Sequence, residues 1–209
     1  MPGPGPKPDP PAAPPRAGAS TSPPPKLESP AAPGSTPPKP APPPKIDLKA
    51  PVDSPVLKAL QAKLPQAVVE VSFHAGEATA LLKKENLLEA CRFLKEDPNL
   101  RMDHLSNLCG VDFPDRPERF EVVYHLFSIS LKHRINLKVR TADGEPVPSV
   151  AGIWRTANWH EREAFDLLGI SFEGHPDPRR ILLTDEWQGH PLRKEYPVKG
   201  YDRDHLKLR

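Results

Sequence analysis

The hydrophobic positions between residues 52 and 209 change their spacing along the chain, and each change predicts a new secondary-structure element. Ser54, followed by proline, suits the N-cap of a helix, and apolar residues then recur at helical spacing up to Leu64. Val68–His74 is β-branched and alternating, and residues 78–82 can return as a second strand after a glycine turn. The pattern therefore predicts a helix followed by a β-hairpin.

The middle of the chain repeats this order of helix and strands. Residues 85–96 show helical spacing, whereas residues 105–113 and 120–129 are strand-like. Residues 134–140 alternate apolar with mainly basic side chains, which predicts a strand with one wet, basic face. Such a row is typical of a solvated sheet surface, although it would also suit an acidic partner. The order of elements predicts an α+β fold with a mostly antiparallel sheet and flanking helices.

A third helix is predicted close to residue 158. Asn158 is its candidate N-cap, and Glu161 completes the spacing of a capping box. Gly169 suits the left-handed backbone conformation that ends many helices. Glu161 and Glu163 stand two residues apart, so they do not face each other as an acid–base pair. We expect them to interact with the positive end of the helix dipole or to form salt bridges.

Residues 171–197 follow this helix without periodicity, and we call them the docking segment. Gly-His-Pro occurs in it twice, at 174–176 and 189–191, and a basic pair follows each copy. Proline fixes its own φ and holds the preceding residue extended, so the segment loses little entropy when it binds a partner. Long irregular connections in compact domains are usually functional. The sequence therefore predicts an extended, irregular C-terminal segment that docks onto another chain.

Proline divides the chain into two parts. Of its 31 prolines, 21 fall within the first 55 residues, and such a stretch cannot bury enough apolar surface to fold. Residues 1–51 are therefore predicted to form a disordered Pro/Ala-rich arm, and residues 52–209 to form one domain. The arm is interpreted as an extension without a specific role, or alternatively as a tether along a larger assembly.

Charge and hydropathy narrow the class of protein further. A net charge of +2 does not favour nucleic-acid binding by bulk electrostatics. No apolar run is long enough to span a membrane, and no secretory signal is visible at the N-terminus. The expected location is therefore cytoplasmic.

Cysteine and histidine limit the metal chemistry that the chain can support. Cys91 and Cys109 are its two cysteines, too few for a cluster or a zinc ion held by cysteine alone, and both are expected in the core. A catalytic metal site remains an alternative, because four histidines recur at intervals of fifteen, but the compact ligand spacings are absent. These histidines are His160, His175, His190 and His205. A Gly-rich phosphate loop and a nucleophile elbow are also absent, which disfavours a self-contained enzyme.

The run EREAFDLLGI, residues 161–170, resembles the signature of the C subunit of bacterial NADH–quinone oxidoreductase, the thirty-kilodalton type of subunit of respiratory complex I. The resemblance covers the signature region 159–197, and it continues through GHPD at 174–177, RRIL at 179–182, GHPLRK at 189–194 and YP at 196–197. Its departures from the family pattern are mild and lie at Phe165, Leu168, Pro178 and Glu195.

The resemblance implies a non-redox structural subunit in the peripheral arm of complex I, with no catalytic residue, cofactor or metal in this chain. FMN and iron–sulfur clusters would lie in partner subunits, which pass electrons from NADH to quinone coupled to proton translocation. The implied partners are the D subunit, of the forty-nine-kilodalton type, and the B and I subunits. Contact with the membrane would come only through the complex, on the cytoplasmic side of the cell membrane.

Nine residues are the candidate contacts of this subunit interface. They are Glu161, Arg162, Asp166, His175, Arg179, Arg180, His190, Arg193 and Lys194. Arginine is favoured at such contacts because its planar fork of donors matches carboxylates on another chain. Two other functions stay open: the equivalent subunit of a membrane-bound hydrogenase or formate hydrogenlyase complex, and a small histidine-dependent metalloenzyme.

Overall fold

The computed structural model describes residues 53–201, so the predicted arm (residues 1–51) and His205 lie outside the described residues. Its elements, in chain order, are α1 (Pro55–Lys63), β1 (Val68–His74), β2 (Glu77–Leu82), α2 (Leu87–Glu96), β3 (His104–Asp112), β4 (Phe120–Phe127), β5 (Arg134–Thr141), β6 (Val147–Pro148), α3 (Ala157–Leu168) and β7 (Phe172–Glu173). A 3-10 turn, Lys84–Asn86, precedes α2. The predicted α+β class is confirmed.

Five strands form one sheet in the order β1-β2-β5-β4-β3. Three of its four pairings are antiparallel, whereas β2 and β5 run parallel because β5 inserts between the two hairpins. In the β4–β5 pairing Tyr124 lies opposite Leu137, and both side chains are fully buried. The expectation of a mostly antiparallel sheet is therefore confirmed, with a parallel join at its centre.

The core lies between one face of this sheet and the helices. Leu60, Leu87 and Leu94 are completely buried, because the helical spacing of apolar residues brings them to one face of α1 and α2. Cys91 belongs to the same cluster, as expected, and burial raises the pKa of its thiol. The prediction is wrong for Cys109, which is only half-buried beside Val123 of β4.

The opposite face of β5 carries the predicted basic row, and carboxylates of the same chain neutralise it. Lys138 Nζ donates to Glu121 Oε1 at 2.7 Å and Arg140 Nε to Glu121 Oε2 at 3.3 Å, while Arg134 pairs with Glu77. Burial alone would raise the pKa of Glu121, but the two cations outweigh it and hold that pKa below its usual value. These pairings favour a solvated sheet surface over a site for an acidic partner.

The ends of α1 and α3 test the capping predictions. Ser54 Oγ accepts the Leu57 N–H at 3.3 Å, as predicted. The Asn158 prediction is wrong, because α3 begins at Ala157 after Thr156, whose side chain forms no capping hydrogen bond. Gly169 ends α3 with φ +76°, as expected.

None of the three helices within residues 53–201 has the length and apolar character that crossing a bilayer requires.

Candidate functional site

Glu161 lies on the inner face of α3 instead of completing a capping box. Its Oε2 accepts the Ser149 hydroxyl at 2.5 Å and its Oε1 accepts the Val150 N–H at 2.7 Å. The side chain is fully buried, which raises the pKa of this carboxyl to about 7 against the opposing effect of the two hydrogen bonds. Glu161 therefore connects α3 to the chain that follows β6.

Asp166, one turn further along α3, connects the helix to the docking segment. Its Oδ2 accepts the backbone N–H groups of Ile181, Leu182 and Leu183 at 3.1, 2.8 and 2.8 Å. Arg180 Nη1 donates to Oδ1 at 2.6 Å. Burial alone would raise the pKa of Asp166, but these donors, led by the Leu183 and Leu182 amides, hold it below the usual value. The carboxylate thus fixes three successive backbone groups that no strand or helix would satisfy.

Two arginines bind the backbone of the docking segment rather than an outside group. Arg162 donates from Nε to the Arg179 carbonyl at 2.9 Å and from Nη2 to the Arg180 carbonyl at 2.8 Å. Arg180 Nη2 in turn donates to the carbonyls of Trp187 and Gly189, both at 3.2 Å. The two guanidinium groups thus bind backbone carbonyls at three places, residues 179–180, 187 and 189, so the segment has a defined path despite its lack of periodic structure.

The two Gly-His-Pro motifs bring their histidines to opposite ends of α3. His175 Nε2 lies 3.0 Å from the Asn158 carbonyl in the first turn, and His190 Nδ1 lies 2.9 Å from the Asp166 carbonyl near the last. A left-handed glycine precedes each ring, with φ +79° at Gly174 and +76° at Gly189. The repeated motif is therefore a repeated contact between the docking segment and one helix.

Arg193 and Leu192 satisfy carbonyl groups at the C-terminal end of α3. The Leu192 N–H donates to the Leu167 carbonyl at 3.0 Å, and Arg193 Nε donates to the Leu168 carbonyl at 2.7 Å. The last carbonyls of a helix lack partners within it and carry its negative dipole end. The Arg193 guanidinium supplies hydrogen-bond donors to such a carbonyl and a positive charge at the negative end of the dipole.

An ionic cluster joins the end of the docking segment to the sheet. Asp112 accepts two hydrogen bonds from Arg119, at 2.7 and 2.8 Å, and a third from the Lys194 backbone N–H at 2.8 Å. Arg193 forms a bidentate pair with Asp143, both distances being 2.9 Å, and Arg119 also pairs with Glu195. The Arg119 guanidinium, against a smaller effect of burial, lowers the pKa of Asp112.

Seven of the nine predicted contact residues thus use their side chains within the chain, around α3. They are Glu161, Arg162, Asp166, His175, Arg180, His190 and Arg193. Arg179 and Lys194 point outward: the Arg179 side chain is 76% exposed in a pair with Asp177, and Lys194 is exposed. The seven inward residues determine the shape of the docking segment, and their direct contact with another subunit stays a prediction.

The surface around α3 presents apolar side chains that the sequence patterns did not single out. Trp159 is 71% exposed, Leu182 61% and Leu192 55%. Trp159 lies in the first turn of α3, and the sequence alone does not show that it faces outward. The partners Asp112, Arg119 and Asp143 were also missed, because they lie at least 50 residues from Arg193 or Lys194 in sequence and no local pattern connects them.

Within residues 53–201, no three or more side chains of His, Cys, Asp or Glu are grouped as a metal site would require. His160 pairs loosely with Glu163 at 3.9 Å, whereas His175 and His190 bind separate ends of α3. The described residues therefore give no support to convergence of the evenly spaced histidines.

Comparison with known proteins identifies the family of this chain. The model of the family "Respiratory-chain NADH dehydrogenase, 30 Kd subunit" matches residues 80–202. The C subunit of the NADH-quinone oxidoreductase of Geotalea uraniireducens is 46% identical over 151 residues, which cover 72% of this chain and 91% of that protein. The C 2 subunit of the NADH-quinone oxidoreductase of Rhizobium meliloti is 55% identical over 146 residues, covering 69% of this chain and 80% of that protein.

Solved structures share the fold. A trypsin-resistant fragment of Nqo5 superposes with a TM-score of 0.51 at 34% identity, covering 58% of this chain and 96% of the fragment. A chain of the membrane-bound sulfane sulfur reductase, an archaeal respiratory membrane complex, gives a TM-score of 0.60 at 25% identity and covers 73% of this chain and 90% of its own length. The residues around α3 and the docking segment lie largely inside the matched range, and the chain belongs to the family of the 30 kDa subunit of respiratory-chain NADH dehydrogenase.

Proposed function

We propose that this protein is a structural subunit of the peripheral arm of an NADH–quinone oxidoreductase. The complex transfers electrons from NADH through FMN and iron–sulfur clusters to quinone and couples this transfer to proton translocation. The chain itself carries no redox group, and its contribution to activity is to hold neighbouring subunits in place. Relatives with 43 to 55% identity are named as C subunits of NADH-quinone oxidoreductase, which supports this assignment.

The observation that carries the proposal is the internal bonding of the docking segment. Asp166 alone accepts four hydrogen bonds from residues 180–183, so the segment is shaped before any partner binds. A preformed surface loses less conformational entropy on association than a flexible one. Leu182 and Leu192 of the segment and Trp159 of α3 are exposed to solvent, and tryptophan is enriched among interface hot spots.

The proposed neighbours are the D subunit, of the forty-nine-kilodalton type, and the cluster-bearing B and I subunits. Of the nine predicted contacts, Arg179 and Lys194 are the exposed cations that can meet carboxylates of these chains, while the seven inward residues act by positioning the segment. FMN and the iron–sulfur clusters belong to partner subunits. The chain is attached to the cell membrane only through the complex, on the cytoplasmic side of that membrane.

Affinity purification of the tagged full chain from membranes, with identification of the co-purifying proteins, tests this function. We expect the flavin-, cluster- and quinone-site subunits to be recovered together. Leu182→Asp should reduce their recovery at least tenfold, because it places a charge in an apolar contact. Ile129→Asp is the matched control, since Ile129 is 54% exposed outside the docking segment. Equal recovery with both variants would contradict the proposed surface.

A chain of the sulfane sulfur reductase complex shares the fold, but the C-subunit names of the relatives favour an NADH–quinone oxidoreductase over a hydrogenase or formate hydrogenlyase complex. A hydrogenase or formate hydrogenlyase complex would use the same surface of this chain with a different set of partners. Co-purification of a nickel–iron large subunit, without flavin- and NADH-binding subunits, would assign the chain to that class. A stoichiometric metal ion in the purified chain would instead indicate the metalloenzyme alternative.

A further inference from the structure

A groove of about 480 Å³ lies between the C-terminal end of α1 and one side of α2, and we call it the α2 groove. Leu88 and Phe93 pack against the core but stay partly exposed in its wall, beside the buried Leu64. Its other lining residues are charged and exposed: Lys63, Glu85, Glu89, Arg92 and Glu96. Within residues 53–201, the groove is therefore an open apolar strip with a mainly acidic rim.

The α2 groove follows the whole length of its helix. Glu85 lies in the 3-10 turn that precedes α2, and Glu96 is the last residue of α2. At the rise of a helix, these two residues are about 16 Å apart along the axis. An extended chain covers that distance with about five residues. The groove therefore fits a short, extended peptide segment with apolar side chains.

The predicted N-terminal arm contains one segment of this kind close to the domain. Proline is absent from residues 45–50, Lys-Ile-Asp-Leu-Lys-Ala, although it makes up six of the eight residues before them. Ile46 and Leu48 alternate with charged residues, so an extended chain would place both on one face. In residues 2–51, Leu27 is the one other residue of the Val, Ile, Leu, Met or aromatic type. We call residues 45–49 the proximal segment.

The apolar side chains of the proximal segment match those of the groove in spacing. Ile46 and Leu48 would stand about 7 Å apart on one face of an extended chain. Leu88 and Phe93 are five residues apart in α2, which places them about 7.5 Å apart along the helix axis. Contact between the two pairs would remove apolar surface of all four side chains from water.

The charges of the two surfaces are complementary. The proximal segment carries two lysines and one aspartate, whereas the groove is lined by three glutamates and two cations. Lys45 and Lys49 would lie about 13 Å apart in an extended chain, and their side chains are long. Each lysine can therefore approach a carboxylate at one end of the groove, Glu85 or Glu96.

The proximal segment is near enough in sequence to reach the groove. From Leu48 to Asp53 an extended chain spans up to about 17 Å, whereas the nine residues of α1 span about 14 Å. The segment can thus return alongside α1 to the groove at its C-terminal end. Since it is covalently linked to a helix that lines the groove, its effective concentration there is high.

We propose that the proximal segment binds in the α2 groove of its own chain, with Ile46 and Leu48 against Leu88 and Phe93. The preceding proline-rich stretch is then joined to the domain through a bound segment. The bound segment also covers apolar surface that a partner or a second copy could otherwise contact. This inference does not depend on which complex the chain joins.

Limited trypsin digestion of the full chain, followed by mass spectrometry, tests the proposal. Cleavage after Lys45 and Lys49 reports on the proximal segment, and cleavage after Lys26 is the internal control. Each rate is divided by the rate at the same bond in a synthetic peptide of the same sequence. Binding should slow the first two cleavages at least about tenfold and leave the control unchanged, because trypsin cuts only the released segment. Equal normalised rates at the three sites would overturn the proposal.

Two matched pairs of substitutions identify the contact. Leu48→Asp should remove the protection because it places a charge against the apolar strip, whereas Leu27→Asp should leave it unchanged. On the domain, Glu89→Lys should speed both cleavages about two- to fivefold, the effect of one exposed charge contact. Glu118→Lys, at an exposed residue outside the groove, should have no effect. Wild-type protection in Leu48→Asp would contradict the proposed contact.

The same digestion distinguishes the other occupants that the groove could have. Binding within one chain predicts that the protection does not change with protein concentration. Protection that grows with concentration would assign the groove to a second copy. Protection that appears only in the purified complex would assign it to a partner subunit. Either result would overturn binding of the segment by its own chain.

Discussion

Arg180 and Asp166 form a bond that determines the path of the docking segment: Nη1 of the arginine lies 2.6 Å from Oδ1 of the carboxylate, whose side chain is fully buried. The other oxygen of Asp166 accepts the three backbone N–H groups that follow Arg180. One side chain of α3 therefore controls four consecutive residues of a segment that has no regular structure to order it.

Asp166→Asn should lower the free energy of unfolding by about 2 to 4 kcal/mol, because it removes the charge that Arg180 and the backbone donors require. Urea denaturation of the full chain measures this change. Asp177→Asn is the control, since Asp177 pairs mainly with the exposed Arg179 and only at 3.6 Å with Arg162, so its unfolding midpoint should change much less. Equal effects of the two substitutions would contradict the central role of Asp166.

Gly169→Ala should displace the docking segment from the end of α3. An added Cβ would lie 2.7 Å from Arg193 Nη2 and 2.7 Å from His190 Cδ2, at a residue whose φ is +76°. Gly144→Ala isolates the backbone contribution, because Gly144 has φ +80° and nothing within 4 Å of the added atom. We expect Gly144→Ala to cost about 1 kcal/mol and Gly169→Ala at least about 2 kcal/mol more. Faster tryptic cleavage after Arg179 or Arg180 should accompany Gly169→Ala but not Gly144→Ala.

Glu161→Gln should change how stability depends on pH. A folded-state pKa raised to about 7 means that this carboxyl contributes stability below its ordinary pKa of 4.5 and loses that contribution as the pH rises through 7. The variant does not titrate, so its stability relative to wild type should increase by roughly 2 to 3 kcal/mol between pH 5 and pH 8. Urea denaturation at several pH values gives this difference directly.

Glu121→Gln provides the comparison of opposite sign. The pKa of Glu121 is held below its usual value, so its contribution is present above pH 4.5 and is lost only as the pH falls through the lower, folded-state value. The stability difference between this variant and wild type should therefore be constant between pH 5 and pH 8. A pH-dependent difference here would indicate that the carboxyl titrates in another range.

Gly110→Ala should loosen the packing of α3 on β3. The added Cβ would lie 2.5 Å from Leu168 Cδ1 and 2.8 Å from Ile170 Cδ1, and both side chains belong to the core. We expect a loss of about 1 to 3 kcal/mol in the free energy of unfolding, the usual cost of overpacking. Gly152→Ala is the control, because its Cβ would meet nothing within 4 Å.

The sequence predicted those features whose causes are local. Ser54 caps α1 and Gly169 ends α3 because one side chain, or the lack of one, decides the backbone conformation at that point. The alternation of Val68–His74 predicted β1 for the same reason.

The remaining features depend on residues that are distant in sequence. The capping-box spacing of Glu161 was misleading, because the Ser149 hydroxyl and the Val150 amide, distant in sequence, donate to its carboxylate inside the fold. Likewise, Arg193 was predicted to seek carboxylates on another chain, yet Asp143 of the same chain lies within 2.9 Å of it. Spacing alone does not reveal which partner a long polar side chain meets first.

The central position of β5 has a consequence for biogenesis. The hairpin β1–β2 and the strand pair β3–β4 are each contiguous, but they join only through β5, whose last residue is Thr141. During translation, both pairs therefore leave the ribosome before the strand that unites them, and each exposes an unpaired edge until it arrives. The arrival of β5 thus covers the inner edges of β2 and β4, which could otherwise pair with another nascent chain.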